Sequence, residues 1–338
     1  MVTATDFQKA IELINKSTGI LITTHTKPDG DACGCIAALC EVLIAAGKKP
    51  KPLLLSTVPE WYLFLFTEKP PVLGEDVTIE TFSKGGRSEP DLIILVDTNS
   101  NSQLPGFAEY LKESRKPVLV FDHHVTADGL GDVELVDSSA AATALIIYDL
   151  LTFAGWHLSK KAAEALFVAI STDTGWFQFA NTDSRVHKSC AALIDAGVNA
   201  TEVYHRLYQN YSYARLKLMT AMLNTVQLHL DGRYADQYLT QADFQRTGAA
   251  GEDTENFIDQ CRRIGSVEAA GLFVELPDGR IRCSLRSSGV VDVRNVAQSF
   301  GGGGHIMAAG AYLDGPLQKA KQLVFEQIAQ QFVEIDDK

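Results

Sequence analysis

Two short runs constrain this chain more than any other feature. DLIILV (Asp91–Val96) and PVLVF (Pro117–Phe121) are of strand length and almost wholly apolar. A strand with one wet face alternates polar and apolar residues. An unbroken run is expected where both faces are covered, as in a parallel sheet packed between helices. Ile20–Thr24 and Lys51–Leu55 are two further strand candidates. The segment after Thr24 places Ile36, Leu39, Leu43 and Ala46 at helical spacing and stops at Gly47. Further helices are expected from about Ser138 to Phe153 and from Ser159 to Ile170. Strands alternating with helices imply an α/β domain with a mainly parallel sheet and flanking helices.

The pattern changes beyond residue 185. Residues 186–225 read as helices without strands, with Tyr204, Tyr208, Tyr211 and Tyr213 as packing or interface surface. From about 226, strand pairs surround the turn dipeptides Asp231-Gly232 and Asp278-Gly279. A helix at Asn295–Phe300, the run GGGGH and a last amphipathic helix complete the chain. A chain of 338 residues is long for one core, and three parts are expected. They are a catalytic metal-binding domain (1–185), a helical linker (186–225) and a smaller α+β substrate-binding domain (226–338).

The charge and cysteine patterns narrow the partners. With 30 Lys and Arg against 42 Asp and Glu, the net charge is −12. That balance disfavours sequence-blind binding of long nucleic acid, which needs basic surface. A short anionic ligand held by metal ions remains compatible. No apolar run reaches the ~20 residues a spanning helix needs, so no membrane partner is expected. MVTATDFQKAIELINK reads as an amphipathic helix rather than a secretion signal. Six scattered cysteines, several in apolar helical surroundings (Cys35, Cys40, Cys190), suit reduced thiols in a cytoplasm.

The expected strands share a further property: chemistry-bearing residues cluster where they end. His25, Asp29 and Asp31 follow the first strand, in HTKPDGDACG, and Asp97 closes DLIILVD. Asp122, His123 and His124 close PVLVFDHH, and Asp173 follows the helix ALFVAIS. Taken singly, each acid is an ordinary turn or cap residue. Parallel strands, however, gather the loops beyond their carboxyl ends onto one edge. Five carboxylates and three imidazoles would then converge, and so much like charge calls for a cation. Oxygen donors with a minority of imidazoles favour Mn²⁺, Mg²⁺ or a similar ion over structural zinc. Cys33 and Cys35 lie inside the following helix and read as small buried residues. Six or seven donors suit two metals sharing a carboxylate, a device for in-line phosphoryl displacement.

HTKPDGDA, VDTN, DHH and STDTG, in this order, resemble the motifs of the DHH phosphoesterases. SLRSSGVVDVRNVAQSFGGGGHIMAAGAYL resembles the DHHA1 substrate domain of the same group. The motifs bracket the chain from residue 20 to about 313, and the two-domain nanoRNase/pAp phosphatase branch, also labelled exopolyphosphatase-related, is the most similar. The resemblance implies His25, Asp29 and Asp97 as ligands of one metal. It implies Asp31, Asp97, His123 and Asp173 for the other, with Asp97 bridging. Asp122 would orient a histidine ring, and His124 would face the phosphate, so that His124, Asp97 and Asp122 form the catalytic set. Arg286, Gly302, Gly303 and His305 would hold the substrate. The implied cofactor is two Mn²⁺, with Mg²⁺ or Co²⁺ as substitutes. The implied reaction is hydrolysis of very short oligonucleotides to mononucleotides, and of pAp to AMP. A homodimer is compatible.

Two departures stand out. Where many relatives carry a basic residue after the second motif, this chain has Asn99, Asn101 and Gln103, and the stretch Ser138–Thr143 is poorer in hydroxyls. The competing readings are a cyclic di-AMP or pApA phosphodiesterase and, from another class, an inactive nucleotide-binding sensor. Inorganic pyrophosphatases of this group lack a GGGGH domain, and a long-strand exonuclease suits neither the length nor the charge.

Overall fold

A computed structural model describes residues 2–83 and 90–336 of the chain. It divides into two compact units, Met1–Asn210 and Tyr211–Lys338. The first contains α1 (Ala4–Lys16), β1 (Gly19–Thr24), α2 (Gly30–Ala45), β2 (Lys49–Pro52), α3 (Ile79–Ser83) and β3 (Leu92–Val96). It continues through α4 (Ala108–Glu113), β4 (Val118–Asp122), β5 (Val133–Val136), α5 (Thr143–Ala154), α6 (Lys160–Asp173), α7 (Ser184–Asp195) and α8 (Ala200–Tyr208). Its five strands lie in the order β2-β1-β3-β4-β5, every pair parallel. Every residue of β3 and β4 is buried, as unbroken apolar runs require. One face of the sheet packs on α2, α5 and α6, with Ile20, Ile22, Leu92, Ile94 and Leu119 pointing into that core. The other packs on α4 through Leu21, Ile93, Leu95 and Val120.

Three local details differ from the sequence reading. The second strand is Lys49–Pro52 rather than Lys51–Leu55, because Lys49 to Pro52 take the register opposite Gly19 to Ile22. The edge strand β5 was not anticipated; its half-buried VELV carries too little apolar signal. The helix expected from Ser138 begins only at Thr143.

The second unit contains α9 (Tyr213–Leu223), β6 (Gln227–His229), β7 (Tyr234–Leu239), α10 (Gln241–Thr247), β8 (Ala269–Glu275) and β9 (Arg280–Ser287). It ends with α11 (Val293–Ser299), β10 (Gly303–His305), β11 (Ala308–Asp314) and α12 (Leu317–Asp336). The sheet order is β10-β11-β9-β8-β7-β6, antiparallel except for the β7–β8 pair. Both turn dipeptides close antiparallel pairs, β6–β7 and β8–β9. The end of the GGGGH run, Gly303–His305, supplies an edge strand. Val186, Cys190, Leu193, Val203 and Leu207 complete the first core, whereas Leu218 and Met222 enter a core of the second unit.

Candidate metal centre

The turn after β1 begins the site. His25 follows the strand and its Nδ1 lies 2.8 Å from the Thr26 carbonyl oxygen. Asp29 caps α2, its Oδ1 accepting from the backbone N–H groups of Asp31 (3.0 Å) and Ala32 (3.1 Å). The same Asx geometry that starts the helix leaves the second oxygen of Asp29 uncommitted to the cap. Asp31, in the first turn of α2, is 1 % exposed.

Asp31 also caps a helix distant in sequence. Ala142, in the N-cap position of α5, makes no side-chain cap bond. The exposed helix donors are instead satisfied by Asp31, which accepts from Thr143 N–H (2.6 Å) and Ala144 N–H (3.1 Å). The Thr143 hydroxyl donates to Asp97 Oδ1 at 3.0 Å. Neither contact was anticipated from the sequence.

Asp97 terminates β3 in left-handed backbone (φ 59°) and is 2 % exposed. His123 follows β4; its Nδ1 sits 3.1 Å from the Ala140 carbonyl. Its Nε2 lies 3.5 Å from Asp97 Oδ1 and 3.4 Å from Asp173 Oδ2. His25 Nε2 lies 3.3 Å from Asp97 Oδ2. Asp122 is fully buried and accepts from His124 at both its backbone N–H (3.2 Å) and its Nδ1–H (2.7 Å). The ring that Asp122 orients is therefore that of His124, while backbone carbonyls orient His25 and His123. Asp173 ends α6.

Three features fit this cluster to divalent cations. A carbonyl oxygen can only accept, so His25 and His123 carry hydrogen on Nδ1 and turn Nε2 toward carboxylates. Imidazole nitrogens and carboxylate oxygens gathered at 3.3–3.5 Å form a donor set of the kind that binds divalent cations. Asp173 Oδ2 is buried without a hydrogen-bond partner. Burial, reinforced by the neighbouring acids, pushes the Asp97 carboxyl well above the usual range and that of Asp173 to about 9. Burial likewise raises Asp31. The donor atoms fall into overlapping groups, each within 4.8 Å: His25, Asp29 and Asp97; Asp31, His123 and Asp173; and Asp97, His123 and His124. Oxygen donors predominate, which suits Mn²⁺ or Mg²⁺. Cys33 and Cys35 are fully buried, and burial holds both thiols far above their usual range.

The sequence-predicted substrate residues lie in the second unit. His305 pairs with Ala308, and Ala308 with Arg286, so the guanidinium and the imidazole stand on one face of the sheet, with β11 between their strands. The glycines serve the sheet as well. A Cβ on Gly302 would meet the Gly310 carbonyl at 2.2 Å, and one on Gly304 the Ala308 carbonyl at 2.5 Å, whereas Gly303 faces open space. Arg286 Nε is 3.9 Å from Asp259 Oδ1.

Residues 19–170 match the N-terminal domain of the DHH family, and residues 234–334 match the DHHA1 domain. A protein of Thermus thermophilus is 33 % identical over 92 % of this chain and 90 % of its own length. The chain belongs to the DHH phosphoesterase family. A Bacillus subtilis relative is 29 % identical over 86 % of this chain and 88 % of its own. Both are called bifunctional oligoribonuclease and PAP phosphatase NrnA. In fold, this DHH protein is similar to an exopolyphosphatase-related protein from Bacteroides fragilis. The TM-score is 0.90 at 21 % identity, covering 99 % of both chains. It is also similar to manganese-bound exonuclease RecJ, with a TM-score of 0.56 at 16 % identity over 98 % of this chain and 95 % of that one. No described helix of this family member is long and apolar enough to cross a membrane.

Proposed function

We propose that this chain is a Mn²⁺-dependent phosphoesterase that hydrolyses very short oligonucleotides to mononucleotides and pAp to AMP. The observation that carries the reading is the convergence of two donor groups on Asp97, which ends its strand between His25 and His123. The names of the Thermus and Bacillus relatives support the substrate class.

His25, Asp29 and Asp97 would hold one cation, and Asp31, Asp97, His123 and Asp173 the other. Two divalent cations supply Lewis acidity to the phosphoryl oxygens and raise the acidity of a water nucleophile. The remaining work falls to the protein. Thr143 and the start of α5 fix the orientation of Asp97 and Asp31 through hydrogen bonds, so both donors are preorganised. The hydrogen bond that His124 donates to Asp122 raises the affinity of His124 for its proton. With Nδ1–H engaged by Asp122, a protonated His124 presents Nε2–H to a phosphoryl oxygen and stabilises the charge that develops there. Arg286 would add a guanidinium fork suited to a substrate phosphate, and His305 a second donor on the same face of that sheet. Gly303 leaves the backbone open for close approach.

Replacement of the shared donor tests the reading. Asp97→Ala is expected to abolish turnover of a dinucleotide and to lower the Mn²⁺ content seen by calorimetric titration. Turnover near the wild-type rate with the substitution in place would overturn the assignment. Arg286→Ala is expected to raise KM and leave metal content unchanged.

A further inference from the structure

The segment after Asp173 combines backbone strain with an exposed ring. Helix α6 closes with a glycine cap: Trp176 N–H donates to Ser171 O and Gly175 N–H to Thr172 O, with Gly175 left-handed (φ 55°). A cap of this kind needs one left-handed residue. Here Trp176 (φ 57°) and Phe177 (φ 67°) continue in the same region, where a side chain is disfavoured and bulky ones most of all. Their rings hold the turn in place. Trp176 packs on Phe167, Tyr204 and Tyr208 at 5.1–5.9 Å, and Phe177 stacks on His187 at 5.5 Å.

The turn delivers Phe179 to an unusual position. Its ring lies across Gly175, so that a Cβ there would meet three ring atoms at 2.5–2.8 Å. Yet Phe179 stays 50 % exposed. The loop is fastened to the metal centre: Asn181 Nδ2 donates to the Asp173 carbonyl and to the Ala141 carbonyl, both at 3.2 Å. Those contacts join it to the end of α6, which carries Asp173, and to the residues leading into α5, which Asp31 caps.

We infer that Phe179 is a nucleobase-stacking residue, which takes one base of the oligonucleotide while the adjoining phosphate lies at the Asp97–Asp173 cluster. The inference rests on the proposed phosphoesterase reading and adds the base to what the site recognises. A base presents an apolar face of any sequence, and an aromatic ring seated on backbone with half its surface in water suits it. The core has no use for such exposure, since Trp176 and Phe177 already fill it. Seating the ring on Gly175 also removes the rotamer freedom that stacking would otherwise cost.

The experiment compares wild type, Phe179→Ala and Phe179→Trp, each loaded with Mn²⁺. The substrates are a 5′-phosphorylated adenosine dinucleotide and two analogues, each lacking one base. For Phe179→Ala we expect KM on the dinucleotide to rise about ten-fold, the scale of a lost base–aromatic stack, with kcat changed less than about three-fold. Phe179→Trp restores KM. On the analogue lacking the stacked base, wild type and Phe179→Ala have equal KM. An unchanged KM in Phe179→Ala, or the same loss on both analogues, overturns the inference while leaving the enzyme reading intact. Absence of wild-type dinucleotide turnover overturns both.

Discussion

Asp97 and Asp173 concentrate the physics of the centre. Without cations, burial and repulsion from the neighbouring acids keep their carboxyls protonated far above the ordinary carboxylate range, in the case of Asp173 up to about 9. The folded metal-free chain therefore binds more protons than the unfolded chain between about pH 4 and pH 9. Stability must fall as pH rises through that window, being greatest below the unfolded value and lost on approach to the folded one. Cations reverse the preference, because they bind the ionised form. Thermal melts of metal-free protein should show Tm falling from pH 5 to pH 9, and Mn²⁺ should raise Tm most at the alkaline end. A metal-free Tm flat or rising across that range would contradict the assignment. At this scale much was legible beforehand. His25, Asp29, Asp31, Asp97, His123 and Asp173 were singled out from strand-end position and motif, and the structure brings them together. Thr143 was missed because a hydroxyl in an apolar helix start says nothing of which distant carboxylate it meets.

Between elements, the decisive contact is the crossing of α2 and α6. Gly30 and Gly34, one turn apart on α2, face α6 with no room to spare. A Cβ on Gly34 would lie 2.4 Å from the Ala165 carbonyl oxygen, and one on Gly30 would lie 2.2 Å from the Thr172 hydroxyl. This close approach sets Asp31, in the first turn of α2, against Asp173, at the end of α6. Gly34→Ala should push the helices apart, at a cost of about 1–3 kcal/mol as an overpacked core position. A lower urea midpoint with unchanged m-value, and a weaker Mn²⁺ titration, would show it. Unchanged metal affinity would separate the crossing from the site. The strands β3 and β4 were legible because they are buried on both faces and read as unbroken apolar runs. β5 and the GGGGH strand were not, since an edge strand needs neither strong alternation nor a large apolar residue. The start of α5 was misplaced for a related reason: its cap is Asp31, a residue 112 positions away.

Across the whole molecule, an acidic chain carries an anionic substrate class, and the cation sites reconcile the two. A net charge of −12 disfavours long nucleic acid, whose binding rests on many phosphate contacts to basic surface. A few phosphates met by two cations would suffice for a short one. The order of motifs made the family legible from sequence, because four metal-binding motifs and a glycine-rich substrate motif seldom occur together by chance. The division of residues 186–225 between two cores was not legible, since helical periodicity reports a buried face and not its partner. The most direct test is a comparison of kcat/KM, with Mn²⁺ present, over RNA of two to five nucleotides, a 20-nucleotide strand, pAp, pApA, cyclic di-AMP and pyrophosphate. Values should be highest for the two- to five-nucleotide RNAs with release of mononucleotides, measurable for pAp, and low on the long strand. No hydrolysis of any member by protein shown to hold Mn²⁺, or a preference for the long strand, would contradict this expectation.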